Sequence, residues 1–156
     1  MKNTNDGIKV KGMFRVNITE DGKVVGDSGW KKNQITNLGF NQYLVGSLGN
    51  ISGKVLTYAA LGTGGAPAAA DTSLAGEQSV RAALTNATSS SSKTLRNTAT
   101  FSSAASFVTA SKNISNIGLF NTSTAAGGTL FAGNTYASST VATNQDVNVT
   151  YDIIFA

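Results

Sequence analysis

An all-β fold, an antiparallel β-sandwich or small barrel of about eight or nine strands with one short helix, is predicted by three observations. Short stretches alternate apolar and polar residues; seventeen glycines and a single proline supply frequent turns; and only one window shows the four-residue apolar spacing of a helix. The crossover helices of a parallel α/β design are missing, and no repeat of fixed period is visible. A length of 156 residues suits one domain, residues 1–156, with Met1 to Gly7 as a flexible arm.

The elements follow in order. In "IKVKGMFRVNIT", Ile8, Val10, Gly12, Phe14, Val16 and Ile18 share one face, the pattern of a half-buried strand. Asp21-Gly22 supplies a tight turn and "KVVGDSGW" returns as its partner, so the opening unit is a hairpin. In "TNLGFNQYLVGSL" the period changes: Phe40, Leu44 and Leu48 recur every fourth residue, and Thr36 or Asn37 can cap the first turn. One helix is expected over Asn37 to Leu48, weakened by Gly39 and Gly46 and held by packing.

"VLTYAAL" reads as a strand that breaks at Gly62, Gly64, Gly65 and Pro67; a single helical turn capped by Asp71 or Thr72 is expected before Glu77, and "SVRAALTNAT" reads as extended. "SSSSK", Ser89 to Lys93, is a loop tip leading into "TLRNTATF". "SFVTAS", "ISNIGLFN", "TLFAGNTYA" and "DVNVTYDIIFA" complete the strands, the last with Val147, Val149, Tyr151, Ile153 and Phe155 on one face. Phe14, Leu44, Leu61, Phe101, Leu119, Val149, Tyr151 and Phe155 are the expected core.

Composition excludes much chemistry. Without cysteine there is neither a disulfide framework nor a thiolate metal site, and without histidine the usual zinc ligand and near-neutral general base are gone. No catalytic, cofactor-binding or metal-ligating residue is expected. Paired carboxylates remain as a device, with Asp71, Glu77, Asp146 and Asp152 as candidates. Asp71 better suits a turn cap, and Glu77 pairing with Arg81 on a helical face. The Gly-rich loop at Gly62 satisfies neither phosphate-binding glycine motif, and no calcium loop occurs.

The net charge of +4 lies wholly in the first third: up to Lys54 there are eight Lys or Arg against Asp6, Glu20, Asp21 and Asp27. Nucleic-acid binding would require a denser stripe with interleaved aromatics, so none is expected; in "GWKKNQ" a solvated strand edge guarded by lysines is the better reading. Trp30, Tyr58, Tyr136 and Tyr151 offer a sugar-stacking platform on paper, with the core reading preferred for Tyr151 and the question open for Trp30. No apolar run suggests a signal or a membrane span, so a soluble, unprocessed chain is expected. Six Asn-X-Ser/Thr sequons, at Asn17, Asn50, Asn86, Asn113, Asn121 and Asn148, suit chance in so polar a composition.

Four elements in order resemble small structural proteins of tailed-bacteriophage virions, of the tail-fibre, tail-tip or baseplate-associated type. They are the hairpin running into "GWKKNQITNLGFNQYL", then "ALGTGGAPAAADTSLAGE…VR" from Ala60 to Arg81, then "NIGLFNTSTAAGGTLFA", and the closing "DVNVTYDIIF". The likeness covers nearly the whole chain. Two positions depart from it: Asn116 stands near where an acidic residue often precedes "GLF", and "VATNQD" lacks a lysine before the closing strand.

The resemblance implies a non-enzymatic assembly part located in the virion, whose partners are other virion proteins and copies of itself. A position in the tail is the first expectation, capsid decoration the runner-up, and a carbohydrate- or host-receptor-binding module the reading from another class. Asn116 to Phe120 and Thr129 to Ala132 are expected as neighbouring strands around a flexible polar tip. Expected contacts are the arm, the loops Gly62 to Ala70 and Thr122 to Gly128, and specifically Trp30, Lys31, Lys32, Thr63, Gly64, Thr124 and Gly127.

Overall fold

The computed structural model describes residues 7–49, 54–88 and 92–156. Residues 1–6 of the expected arm, the first three serines of "SSSSK" and the sequon asparagine Asn50 lie outside them. Two antiparallel sheets face each other. The first has the order β2 (Lys23–Asp27), β1 (Val10–Glu20), β11 (Asp146–Phe155), β8 (Thr94–Phe101), β7 (Thr85–Ala87), with β3 (Lys31–Lys32) also on β1. The second has the order β4 (Gln34–Ile35), β10 (Ala132–Val141), β9 (Lys112–Phe120), β5 (Tyr58–Gly62), β6 (Ala82–Ala83).

The opening hairpin forms as its sequence dictates. Asp21 and Gly22 both take positive φ, 49° and 75°, the geometry that matches the twist of the flanking strands. Alternation along β1 then buries Phe14, Val16 and Ile18. The longest ladders run from β1 to β11, Val10 opposite Phe155 through Thr19 opposite Asp146, and from β11 to β8. The closing strand is therefore the centre of the first sheet.

Both sides of the sandwich are closed by chain that changes sheet. Lys31–Lys32 pairs with β1 while Gln34–Ile35 pairs with β10; on the far side Ala82–Ala83 pairs with β5 while Thr85–Ala87 pairs with β8. Each stretch reads in sequence as one extended piece, which is why eleven strands occur among the described residues where eight or nine are expected. Turning a corner in this way leaves little free edge.

Phe14, Leu61, Phe101, Leu119, Val149 and Tyr151 are buried in one core, and Leu44 and Phe155 pack against it half-buried. Phe14 stacks on Tyr151 at 5.8 Å and meets Tyr136 edge-on at 6.2 Å. The expected strand "SFVTAS" does not form. A 3₁₀ turn at Ser103–Ala105 and a left-handed Ser106 bend the chain, so that Phe107 and Val108 plug the core from a loop, with Phe107 5.7 Å from Phe101.

The helix spans residues 37–48, π-wound over Gly39–Val45 and α-helical over Gly46–Leu48. Thr36 caps it: its hydroxyl accepts from the Gly39 amide at 3.0 Å and donates to the Leu130 carbonyl at 2.7 Å. Its buried face, however, is Gly39, Tyr43 and Gly46, while Phe40 and Leu48 are exposed and Leu44 is half-buried. The cause is close approach: a Cβ on Gly39 would stand 2.3 Å from the Phe131 carbonyl oxygen, so the helix rests its backbone on the sheet where only glycine fits. Phe40 and Leu48 of the four-residue apolar spacing mark the outer side of this helix.

Candidate functional site

The outer face of the second sheet is covered. Residues 63–76 form turns and bends without the expected helical turn, because the Asp71 carboxylate accepts from Ala68 N at 2.8 Å across a tight turn. This segment lies on the sheet as a lid. Leu74 joins Ala60, Phe120 and Leu130 in a second small core. Gly118 makes room for it, since a Cβ there would be 2.8 Å from Leu130 Cδ1 and 3.4 Å from Leu74 Cδ1.

Asn116 is the staple. Its side chain is fully buried, and its amide nitrogen donates to the Gly65 and Ala75 carbonyls at 3.0 and 2.9 Å, while Ser115 donates to the Gly64 carbonyl. Only a donor suits this position: an acid there would set a carboxylate against two carbonyl oxygens.

The tip between β9 and β10 is tied down as well. Arg81 forms a two-pronged bond to Glu77, 2.6 and 3.1 Å, with side-chain exposures of 0% and 7%. Its remaining nitrogen donates to the Thr122 carbonyl at 2.9 Å, and its guanidinium lies 3.6 Å over the Phe120 ring. The second Glu77 oxygen accepts from Ala126 N at 3.2 Å. Arg81 and Glu77 do pair as expected, but from extended chain, and the pair locks a tip read as flexible to the lid.

Of the expected contact residues, Thr63 and Thr124 are exposed, whereas Gly64 and Gly127 are half-buried and serve loop geometry: their amides donate to Ala75 and Thr124 carbonyls. Thr63 likewise donates its amide to the Gly76 carbonyl. Both loops therefore find hydrogen-bond partners inside the subunit.

The outer face of the first sheet carries Trp30 and Lys32, the latter paired opposite Met13, with Lys31 beside them at the corner. All three side chains are exposed. Arg96 reaches from β8 to lie 5.9 Å over the Trp30 ring and binds Asp152 with two bonds of 2.8 and 2.7 Å. Arg15 grips Asp27 similarly, and Asp27 also accepts from Gly29 N at 2.8 Å. The Arg15 hydrogen bond, then the Gly29 amide, draw the Asp27 carboxyl down to about 2. Tyr136 and Tyr151 are core residues whose hydroxyl pKa values burial pushes up, so Trp30 is what remains of the aromatic platform on this face.

The four carboxylates each have a separate partner: Ala68 N for Asp71, Arg81 for Glu77, Ser103 N for Asp146 and Arg96 for Asp152. Asn33 at the corner donates to the Tyr151 hydroxyl, fixing the turn from β3 to β4 on the core. Beside the helix, Tyr43, Leu44, Val55, Leu95 and Phe155 line an apolar groove of about 210 Å³. Among the described residues no helix is long and apolar enough to cross a membrane. Comparison with protein-family models, curated proteins and solved structures gives no match.

Sequence reasoning missed the staple and the depth of the Arg81–Glu77 pair. The signal for Asn116 is an asparagine inside the strand run "ISNIGLF", where a buried polar side chain must be satisfied. For Arg81 it is a lone arginine between Val80 and Ala82 with an acid four residues earlier.

Proposed function

We propose that the protein is a non-enzymatic structural component of a tailed-bacteriophage virion, assembling in the tail apparatus through contacts with copies of itself and with other virion proteins. The observation that carries this reading is the lid. The two most specific elements of the resemblance, Ala60 to Arg81 and the "NIGLFNTSTAAGGTLFA" run, are a single packed unit joined by Asn116, Leu74 and the Arg81–Glu77 pair. A shared pattern whose residues hold one another in place is a pattern of architecture. The separate engagement of the four carboxylates supports the same reading, because acid–base work needs two such groups aimed at one bond.

Symmetric assembly multiplies modest contacts, so bland surfaces suffice. The exposed helix side with Phe40, Val45 and Leu48 is an apolar surface such a contact would cover. Electron microscopy of intact particles tests the proposal: density for this fold in a tail ring is expected. Density on the capsid lattice would replace the tail with decoration, and particles lacking the chain would end the virion reading.

A further inference from the structure

Trp30 is 43% exposed although it sits on a sheet face that could shield it, and its surroundings are built. The Arg96 guanidinium lies over the ring at 5.9 Å from its centre. Arg96 is held by both Asp152 oxygens, and Asp27 is held by Arg15 and by the Gly29 amide, the residue before Trp30. The two pairs fix the positions of the charged groups around the Trp30 corner, Arg96 and Arg15 being partly in water. Past Arg96 and Asp152 the face opens into a shallow groove of about 390 Å³ lined by Ser92, Thr94 and Ile154.

We propose that this face binds a hexopyranose chain, one sugar stacking on the Trp30 ring and the next lying over Arg96 and Asp152 toward the groove. A pyranose offers a flat patch of C–H groups on one side and hydroxyls around its rim. An indole meets the first with a large, rigid area that loses little conformational freedom on binding. The hydroxyls need donors and acceptors in fixed positions. Arg96 supplies N–H groups, and the Asp152 oxygens and Asp27 Oδ2 each keep lone-pair capacity beyond the arginine bond, whereas Asp27 Oδ1 is filled by Arg15 and the Gly29 amide.

Charge alone does not exclude nucleic acid here, since Arg15, Lys31, Lys32 and Arg96 stand against Asp27 and Asp152. A stacked nucleic-acid strand would instead ask for further aromatics interleaved with that charge, and Trp30 is the aromatic this face offers. This inference stands apart from the virion reading, since a sugar site needs no particle around it.

Because Trp30 is the only tryptophan in the chain, its fluorescence reports the site directly. The full chain is titrated with maltohexaose, cellohexaose, mannohexaose and chitohexaose, with oligo-dT as the polyanion. At least one hexasaccharide is expected to give a saturable change in emission. Calorimetry with that sugar should show affinity falling roughly tenfold or more in Trp30→Ala, partly kept in Trp30→Phe, and weakened in Arg96→Lys, which keeps charge but loses the planar fork. An unaltered far-ultraviolet circular dichroism spectrum shows that each variant folds. No saturable response to any of the sugars overturns the proposal. So does undiminished binding by folded Trp30→Ala, or a response to oligo-dT alone, which would make the face a nucleic-acid platform.

Discussion

The two outer faces of the sandwich use the same chemical device in opposite settings. On the lidded face Arg81 and Glu77 form a two-pronged pair with side-chain exposures of 0% and 7%; on the open face Arg96 and Asp152 form one with exposures of 53% and 10%. Inside the lid the pair replaces water for the Thr122 carbonyl and the Ala126 amide, so four polar groups depend on it. On the open face Arg96 is itself half in water, so water can follow into the place it leaves, even though Asp152 is covered while the pair is intact. Geometry alone does not decide what an ion pair contributes; the loss of an alternative partner does.

Removing one member of each pair makes the contrast measurable. Arg81→Ala should cost about 3–5 kcal/mol, because the buried Glu77 carboxylate loses its charge partner and keeps only the Ala126 amide, while the Thr122 carbonyl loses the Arg81 donor. Arg96→Ala should cost no more than about 1 kcal/mol. Urea denaturation of both variants compares them, and similar midpoints would mean that water reaches the lidded pair after all.

Truncating the lid's apolar anchor comes next. Leu74→Ala removes most of the side chain that fills the space between Phe120 and Leu130, for an expected loss of about 2–4 kcal/mol. Hydrogen exchange should speed up across residues 63–76 and at the Thr122 to Gly128 tip while the first sheet stays protected. Uniform deprotection of both sheets would show that the lid and the main core open as one unit.

A smaller effect is expected at the staple. Asn116→Asp keeps size and shape but exchanges two donated hydrogen bonds for carboxylate–carbonyl repulsion, a loss of about 1–3 kcal/mol if the acid stays buried. Raising the pH from 4 to 8 should deepen that loss as the introduced acid ionises. A pH-independent variant as stable as the parent would remove Asn116 from its role.

These cases also show what a linear chain displays and what it conceals. Alternation along β1 and β11, the Asp21-Gly22 turn and the helix bounds are local patterns, so they are legible directly. The corner strands are not, because pairing with two sheets leaves no mark on a stretch such as "KKNQI". The helix misleads for a physical reason: its buried side is glycine and tyrosine, and of its apolar repeat Leu44 packs half-buried while Phe40 and Leu48 face outward. At the candidate sites, Trp30, Lys31 and Lys32 stand on the surface as read, whereas the two loop glycines read as contacts serve folding within the subunit.

The weakest expected effect concerns the open face under acid. Asp27 has its carboxyl drawn down to about 2, chiefly by the Arg15 hydrogen bond and then by the Gly29 amide. An unpaired aspartate in unfolded chain titrates near 3.9. A lowered folded value means that the contribution is complete above about pH 4 and is lost as pH falls through about 2. Glu20, held by Gln145 and Asn144, is lowered too and acts with the same sign at the hairpin's far end. Since Asp27 anchors the amide of Gly29, its protonation should free the Trp30 corner and shift tryptophan emission between about pH 4 and pH 2, before the buried sheet responds. Asp27→Asn should abolish that early shift and leave the later global transition in place. Persistence of the shift in Asp27→Asn would place the acid-sensitive contact elsewhere.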